Sequence, residues 1–369
     1  MTTNKASPHP DHLALHPHPS KLARPLPFFH PTHALLVSPD AAQMDEPTDA
    51  THWSSRASRK NRYTPKQVPL QRLPSDPEKY AHPHSVVLAQ KRVRHPQARL
   101  KVHLAWDVSF WVAVAFVLGS AAWICNGHLL YTPLSPTPSP PHANAAAWLA
   151  FVGGTAFEVG AYLMYVESLP ANTGHAELYD EFRAHLAKLS GKVAKHVASR
   201  ESDEDSAAGK ARPRFRWIGA GSPRDIGFLA SLIQLFAASV FWISTVTGLP
   251  NVIPTLAQKN TAVSVVLFWT PQVVGGTGFV VASLLLMLEE QKAWWRLAPL
   301  RLGWQVAVWN LVGAVGFTLC GALGYAAAAS SGANYQSVLS TFWGSWAFMI
   351  GSVIQLWETL WREDPEASG

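Results

Sequence analysis

Residues Trp269–Glu289 read WTPQVVGGTGFVVASLLLMLE. The stretch has the length of one membrane-crossing helix, carries GGTGF in its middle and closes on a carboxylate. The same phrase occurs twice more. Gly153-Gly154-Thr155-Ala156-Phe157 is followed after nine residues by Glu167, Gly275-Gly276-Thr277-Gly278-Phe279 by Glu289, and Gly344-Ser345-Trp346-Ala347-Phe348 by Glu358. The segments between carry a weaker phrase of two small residues and an aromatic three positions on: Gly119-Ser120 with Trp123, Ala238-Ser239 with Trp242, Gly313-Ala314 with Phe317. Self-similarity at this spacing predicts three copies of a two-helix unit.

Working outward, six apolar segments cover about 105–130, 144–166, 225–247, 264–288, 303–326 and 338–360. Each reaches the ~20 residues that a helix needs to cross ~30 Å of hydrocarbon. Backbone groups in lipid must be paired within the segment, which makes helices the default. The ~10-residue alternating segments of a barrel are absent. The expected fold is an all-α polytopic bundle of six transmembrane helices arranged as three hairpins (105–166, 225–288 and 303–361).

The remainder is polar. Residues 1–104 are rich in Pro, His, Lys and Arg and show no sustained apolar period, so a disordered basic tail is expected. His9, His12, His16 and His18 offer weak metal ligands or incidental histidines of such a tail; no metal or cofactor is expected. The net charge of +6 sits beside apolar segments, in the manner of positive-inside loops rather than of a nucleic-acid site. Lys91, Arg92, Arg94, Arg99 and Lys101 precede the first span, where anionic inner-leaflet lipids would attract them. The linkers 131–143 and 327–337 carry no charge and 248–263 carries Lys259 alone, whereas 167–224 and 289–302 are basic. Both termini, including the short tail 362–369, are therefore expected in the cytosol, in a plasma membrane or endomembrane. Within 167–224, Leu178, Phe182, Leu186, Leu189, Val193 and Val197 form a helical stripe, suited to lying on the inner leaflet or packing under the bundle. Cys125 and Cys320 lie in apolar segments and read as two buried thiols.

Ionisable and polar groups in such segments are the functional pointers. Glu158, Gln234, Gln272, Asn310 and Gln355 are the candidate intramembrane polar site, with Glu158 the deepest. Amides also serve plain helix packing. Glu167, Glu289 and Glu358 end helices where a carboxylate opposes the macrodipole. Two readings stand: interfacial anchors, with Lys292 and Arg362 as local partners, or a ring closed by Lys101, Arg224 and Arg301. Pro271 is expected to kink its helix and expose backbone, while Gly153, Gly154, Gly275, Gly276 and Gly344 suit close packing.

At WTPQVVGGTGF, MLEEQKAWW, GFTLCGALG and STFWGSWAFMIGSVIQLWE the chain resembles a family of fungal multi-pass integral membrane proteins. FVLGS and MIGS resemble hairpins of the YrhK-type membrane domain. The resemblance covers about 105–361; it implies the architecture and brings no catalytic residues. Neither HExxH, GxSxG nor paired helical aspartates is present, so an enzyme is not expected. The lipid bilayer is the expected partner and nucleic acid is not. Small-solute or ion transport is the leading expectation, with a membrane scaffold or lipid-organising protein as the alternative. A polar cavity around Glu158 would favour the first and a dry, filled core the second.

Overall fold

The computed structural model describes residues 16–17, 23–37, 49–60, 67–69, 107–135, 141–170, 172, 216–253 and 261–360. Six long helices dominate: α2 (Val108–Tyr131), α3 (Ala143–Ser168), α4 (Ile226–Thr247), α5 (Ala262–Glu290), α6 (Leu302–Ala327) and α7 (Ser331–Leu360). The shortest has 22 residues, about 33 Å at 1.5 Å per residue, enough to cross a hydrocarbon core. All six are long and apolar enough to span a membrane, the signature of an integral membrane protein.

Each helix packs on its neighbours in sequence, and α7 closes on α2. The result is a closed ring of six. Exposed Leu118, Val159, Phe236, Val281, Leu319 and Ile350 face outward, as lipid requires. Exposed Trp294 and Trp295, with Trp217, flank the helix ends that carry the carboxylates, where amphipathic rings settle at a membrane interface.

Small residues let the ring close. A Cβ on Gly275 would lie 2.6 Å from Phe241 Cβ and 2.7 Å from the Ala237 carbonyl oxygen. One on Gly316 would lie 2.7 Å from the Ser340 carbonyl oxygen and 2.9 Å from Gly344 Cα. These are backbone approaches that only glycine permits. Aromatic side chains fill the axis between them. Trp123, Phe241 and Phe317 form a triangle with centroid separations of 4.9, 5.5 and 5.8 Å. Phe157, Phe279 and Phe348 pack against it in one buried cluster. Edge-to-face and tilted pairs of this kind each add about 0.5–1.5 kcal/mol beyond their buried area.

The structure corrects the aromatic phrase of α4 by one residue. Phe241, not Trp242, points to the axis. Trp242 is partly exposed on the outside, where its Nε1 donates to Thr155 Oγ1 at 3.0 Å. The small pair before it is Ala237-Ala238, both buried. Two adjacent aromatics cannot be told apart by spacing; the helical face decides. Helix α7 also begins earlier than hydropathy suggests, at Ser331, because SGANYQS is polar yet helical and leaves a three-residue turn after α6.

Pro271 does not expose backbone at a site. It follows a π-helical turn, Val265–Trp269. The carbonyl left without its i+4 donor belongs to Leu267, and Thr247 Oγ1 of α4 donates to it at 2.7 Å. A neighbouring hydroxyl thus repairs what proline removed. Cys125 is exposed on the outside, contrary to a buried pair, whereas Cys320 is buried.

Residues 1–104 are not wholly a tail. Strands β1 (His16–Pro17), β2 (His33–Val37), β3 (Asp49–Ser54) and β4 (Gln67–Pro69) form an antiparallel sheet in that order. Its central pair runs from His33↔Ser54 to Val37↔Ala50. Between β3 and β4 lies the short helix α1 (Ser55–Arg59). The Pro/His bias hides these pairings because β-pairing is non-local. The histidines at 9, 12 and 18, the basic residues 91–101, the 178–197 stripe and residues 362–369 lie outside the described residues.

Gly275→Ala is expected to lower stability by about 1–3 kcal/mol, since backbone must move to admit the methyl group. Gly332→Ala, whose Cβ would meet only Ser330 Oγ at 3.8 Å, stays within about 0.5 kcal/mol. Unfolding in detergent micelles, followed by circular dichroism, checks both.

Candidate functional site: a carboxylate mouth and its internal cations

Helices α3, α5 and α7 bring their terminal carboxylates to one end of the ring. Glu167, Glu289 and Glu358 each lie ten residues after the axial phenylalanine of their helix, and Glu290 stands beside Glu289. Helices α2, α4 and α6 start at the same end. Asp107 and Asp225 cap α2 and α4, their side chains accepting from the backbone N–H of Ser109 and of Gly227 and Phe228. A carboxylate there complements the helix dipole. Arg301 holds the matching position before α6 and makes no side-chain cap. It turns to Glu290 instead, with Nη1 3.3 Å from Oε2 and 3.1 Å from the main-chain oxygen.

The cations that meet the carboxylates come from α1. Arg56 lies between two helices, with Nε 3.2 Å from Glu290 Oε1 and Nη2 3.1 Å from Glu358 Oε2. Arg59 Nη2 is 2.5 Å from Glu289 Oε2. Lys60 Nζ is 3.4 Å from Glu167 Oε2. The Ser55 hydroxyl donates to Glu289 Oε1 at 3.0 Å, and the Ser109 hydroxyl donates to Glu167. Arg56 and Arg59 are three residues apart and so share one face of α1. None of the three cationic side chains exceeds 8 % exposure, and the Glu289 side chain is fully buried.

Such burial is unfavourable for isolated charges and tolerable only when they are paired. Desolvation by itself would lower both guanidinium values. The carboxylates of Glu358, Glu290 and Glu289 around Arg56, and of Glu289 and Glu167 around Arg59, outweigh it and hold both above the ordinary value. A raised value on a cation stabilises the fold at every pH below the ordinary guanidinium value, so neutral and mildly alkaline conditions leave both arginines charged.

Directly beneath α1 lies a cavity of about 30 Å³, room for about two water molecules. All six helices line it. Phe116, Gln234 and Asn310 sit seven residues before the axial aromatics of α2, α4 and α6. Met164, Leu286 and Gln355 sit seven after those of α3, α5 and α7. Phe157, Phe279 and Phe348 form its floor, and Arg56, Arg59 and Lys60 its lid. Gly351 is bare where Asn310 needs space: a Cβ there would lie 2.8 Å from Oδ1.

The structure thus unites three of the five candidate polar residues, Gln234, Asn310 and Gln355. Glu158 is elsewhere. It turns toward α4, where Ser239 Oγ donates to its Oε1 at 2.8 Å on the outer side of the ring. Its Oε2 is buried and has no hydrogen-bond partner among the described residues. Gln272 belongs to the opposite half, its Nε2 donating to Cys320 Sγ at 3.4 Å. The proposed ring of cations is corrected as well. Arg301 does belong to it, but Arg224 faces Phe28, 5.8 Å from the ring centroid, and Lys101 lies outside the described residues. Arg59 and Arg56 take the places expected for Lys292 and Arg362, the latter also outside the described residues.

Residues 23–33 hold α1 in place. The main-chain N–H of Ser55 donates to the Thr32 carbonyl at 2.9 Å, that of His30 to the Arg224 carbonyl at 2.9 Å, and that of Trp294 to the Pro25 carbonyl at 3.2 Å. His33 Nε2 meets Arg301 Nη1 while its Nδ1 lies 3.0 Å from Thr32 Oγ1. With Nε2 accepting from a guanidinium, Nδ1 carries the proton. Sequence reasoning missed Ser55, Arg56, Arg59, Lys60, Glu290 and His33. One signal was available: Glu167 has no Lys or Arg near it in sequence, and SSRASRK carries three cations in five residues.

Comparison with family models, curated proteins and solved structures found no match.

Arg59→Ala is expected to cost about 3–5 kcal/mol, because Glu289 is left buried without its cation. Arg59→Met combined with Glu289→Met is expected to recover most of that loss. Stability of each variant in a denaturing-detergent titration checks the pair.

Proposed function

We propose that this ring is a transport unit for ions or small solutes, held shut in the described conformation. The observation that carries this reading is the axial order of the groups. A mouth of four carboxylates opens onto an amide-lined chamber shared by all six helices, and both ends of that chamber are closed by groups able to move. Converging carboxylates attract and select cations where walls are apolar. Amides below them supply the dipoles that replace a lost hydration shell. The lid, α1, is a separate segment held by charge. The floor is two tiers of aromatic side chains, a closure of the hydrophobic-constriction type.

The matching offsets along α2, α4 and α6, and along α3, α5 and α7, support descent of the ring from three copies of one two-helix unit. The resemblance to fungal multi-pass membrane proteins and to YrhK-type hairpins fits the same reading. Among the described residues Arg56, Arg59, Lys60 and Arg301 gather at the carboxylate end, which the positive-inside rule puts in the cytosol; anionic lipid of that leaflet is the partner proposed for the basic residues there.

The aromatic tiers favour a second reading, a membrane scaffold whose axis is simply packed solid. Flux in proteoliposomes separates the two. Transport predicts slow cation flux in the intact protein and a rise of at least about tenfold when Arg56→Ala, Arg59→Ala and Lys60→Ala unlatch the lid or Phe317→Ala opens the floor. Flux at the level of empty liposomes from both folded variants would establish the scaffold. Glu158→Gln is expected to leave the flux of the unlatched variant unchanged, since Glu158 stands off the axis; a loss there would place the pathway between α3 and α4 instead.

A further inference from the structure

The geometry points to a ligand class for the mouth: organic cations bearing a guanidinium group, whose place α1 occupies as a tethered mimic. The inference rests on the reading of the chamber as an entry site and names what that site would accept.

Three independent features of the mouth fit a planar guanidinium better than a compact ammonium or a hydrated metal ion. The first is the charge arrangement. Arg56 donates through Nη2 to Glu358 at 3.1 Å while its Nε end stands 3.2 Å from Glu290 on a different helix. Glu289 receives Arg59 Nη2 on one oxygen and the Ser55 hydroxyl on the other. A flat, delocalised cation stands between two such carboxylates more readily than a compact ammonium.

The second feature is the space. Gly227 and Gly303 occupy matching positions, fourteen residues before Phe241 and Phe317. A Cβ on Gly227 would lie 2.6 Å from Glu289 Oε1 and 2.8 Å from Arg59 Nε. One on Gly303 would meet Glu290 Oε1 and stand 2.5 Å from Arg56 Nε. Both helices are bare where a guanidinium plane passes. The matching residue of α2 is Ser109, whose hydroxyl is bound to Glu167, and the cation there is the slimmer lysine ammonium. Side-chain size follows cation shape at all three positions.

The third feature is a set of unused donors. Arg59 is fully enclosed, yet its Nε and Nη1 have no hydrogen-bond partner among the described residues, nor has Arg56 Nε, and both arginines line the chamber that Gln234, Asn310 and Gln355 also line. A guanidinium seated here keeps N–H groups free for the chamber amides or for water on them. A ligand entering from the mouth would meet carboxylates first and amides second.

Release of α1 can be read without measuring flux. Ser55 is buried under the lid, where its hydroxyl donates to Glu289 Oε1 at 3.0 Å, and a cysteine keeps a weak S–H donor at the same place. In the full chain with Cys125→Ala and Cys320→Ala, Ser55→Cys reports lid opening by its rate of maleimide labelling in micelles. Methylguanidinium, at millimolar concentrations far below denaturing ones, is expected to speed labelling at least about fivefold over choline at equal ionic strength. Methylammonium is expected to fall between them. Equal rates with all three cations would show charge screening alone and overturn the inference. A second reporter, cleavage within Ser55–Lys60 of the unsubstituted chain by a protease whose primary pocket takes no cations, guards against an effect of the cysteine itself: cleavage no faster in methylguanidinium than in choline also overturns it. Competition without flux would leave the site standing and remove the transport reading; flux of alkali cations with no competition would do the reverse.

Discussion

Four carboxylates that converge at one end of a ring of membrane helices cannot be left alone. Glu167, Glu289, Glu290 and Glu358 are taken from water by the helices that carry them, and an unpaired buried carboxylate costs several kcal/mol. Within the helices no cation faces them. The chain solves this with a segment from far away in sequence: Arg56, Arg59 and Lys60 stand more than a hundred residues from the nearest of their partners. Together with Arg301 they match the four negative charges one for one. The placement of α1 over the end of the ring, above the small cavity of about 30 Å³, follows from that neutralisation.

The same constraint explains why the lid is ionic rather than apolar. A hydrophobic cap would be more stable than a buried ion pair of the same volume, so stability alone does not account for four pairs in a row. On the proposed reading an ionic lid differs in being exchangeable, since another cation of the right shape offers the carboxylates the same contacts. The opposite closure obeys different physics. Trp123 meets Phe241 and Phe317 edge to face across the axis, the two phenylalanines are tilted on each other, and close-packed rings open only by concerted rotamer change.

Much of the fold was legible because the signals are local. Six apolar runs, scarce acidic residues at a fixed offset from a phenylalanine, and glycine pairs at helical spacing are properties of single helices in lipid. Gln234, Asn310 and Gln355 stood out because amides are rare in such runs. Glu158 stood out for the same reason, and there the signal misled: depth along a helix is legible, but the face is not. One residue of rotation, 100°, separates Phe157 on the axis from Glu158 toward α4. The same rotation exchanged Phe241 and Trp242.

The amino-acid sequence by itself determined that this chain builds six membrane helices and places carboxylates at one common end of them, because length, hydropathy and periodicity are properties of segments read one at a time. Only the tertiary structure decided that the helices close into a ring, which amides share a chamber, and that Ser55–Lys60 becomes its lid. Those outcomes depend on pairing charges and small residues across more than two hundred positions, and compensation between distant groups leaves no local trace: the arginines of SRASRK look like any basic stretch until the four glutamates that require them are assembled in one place.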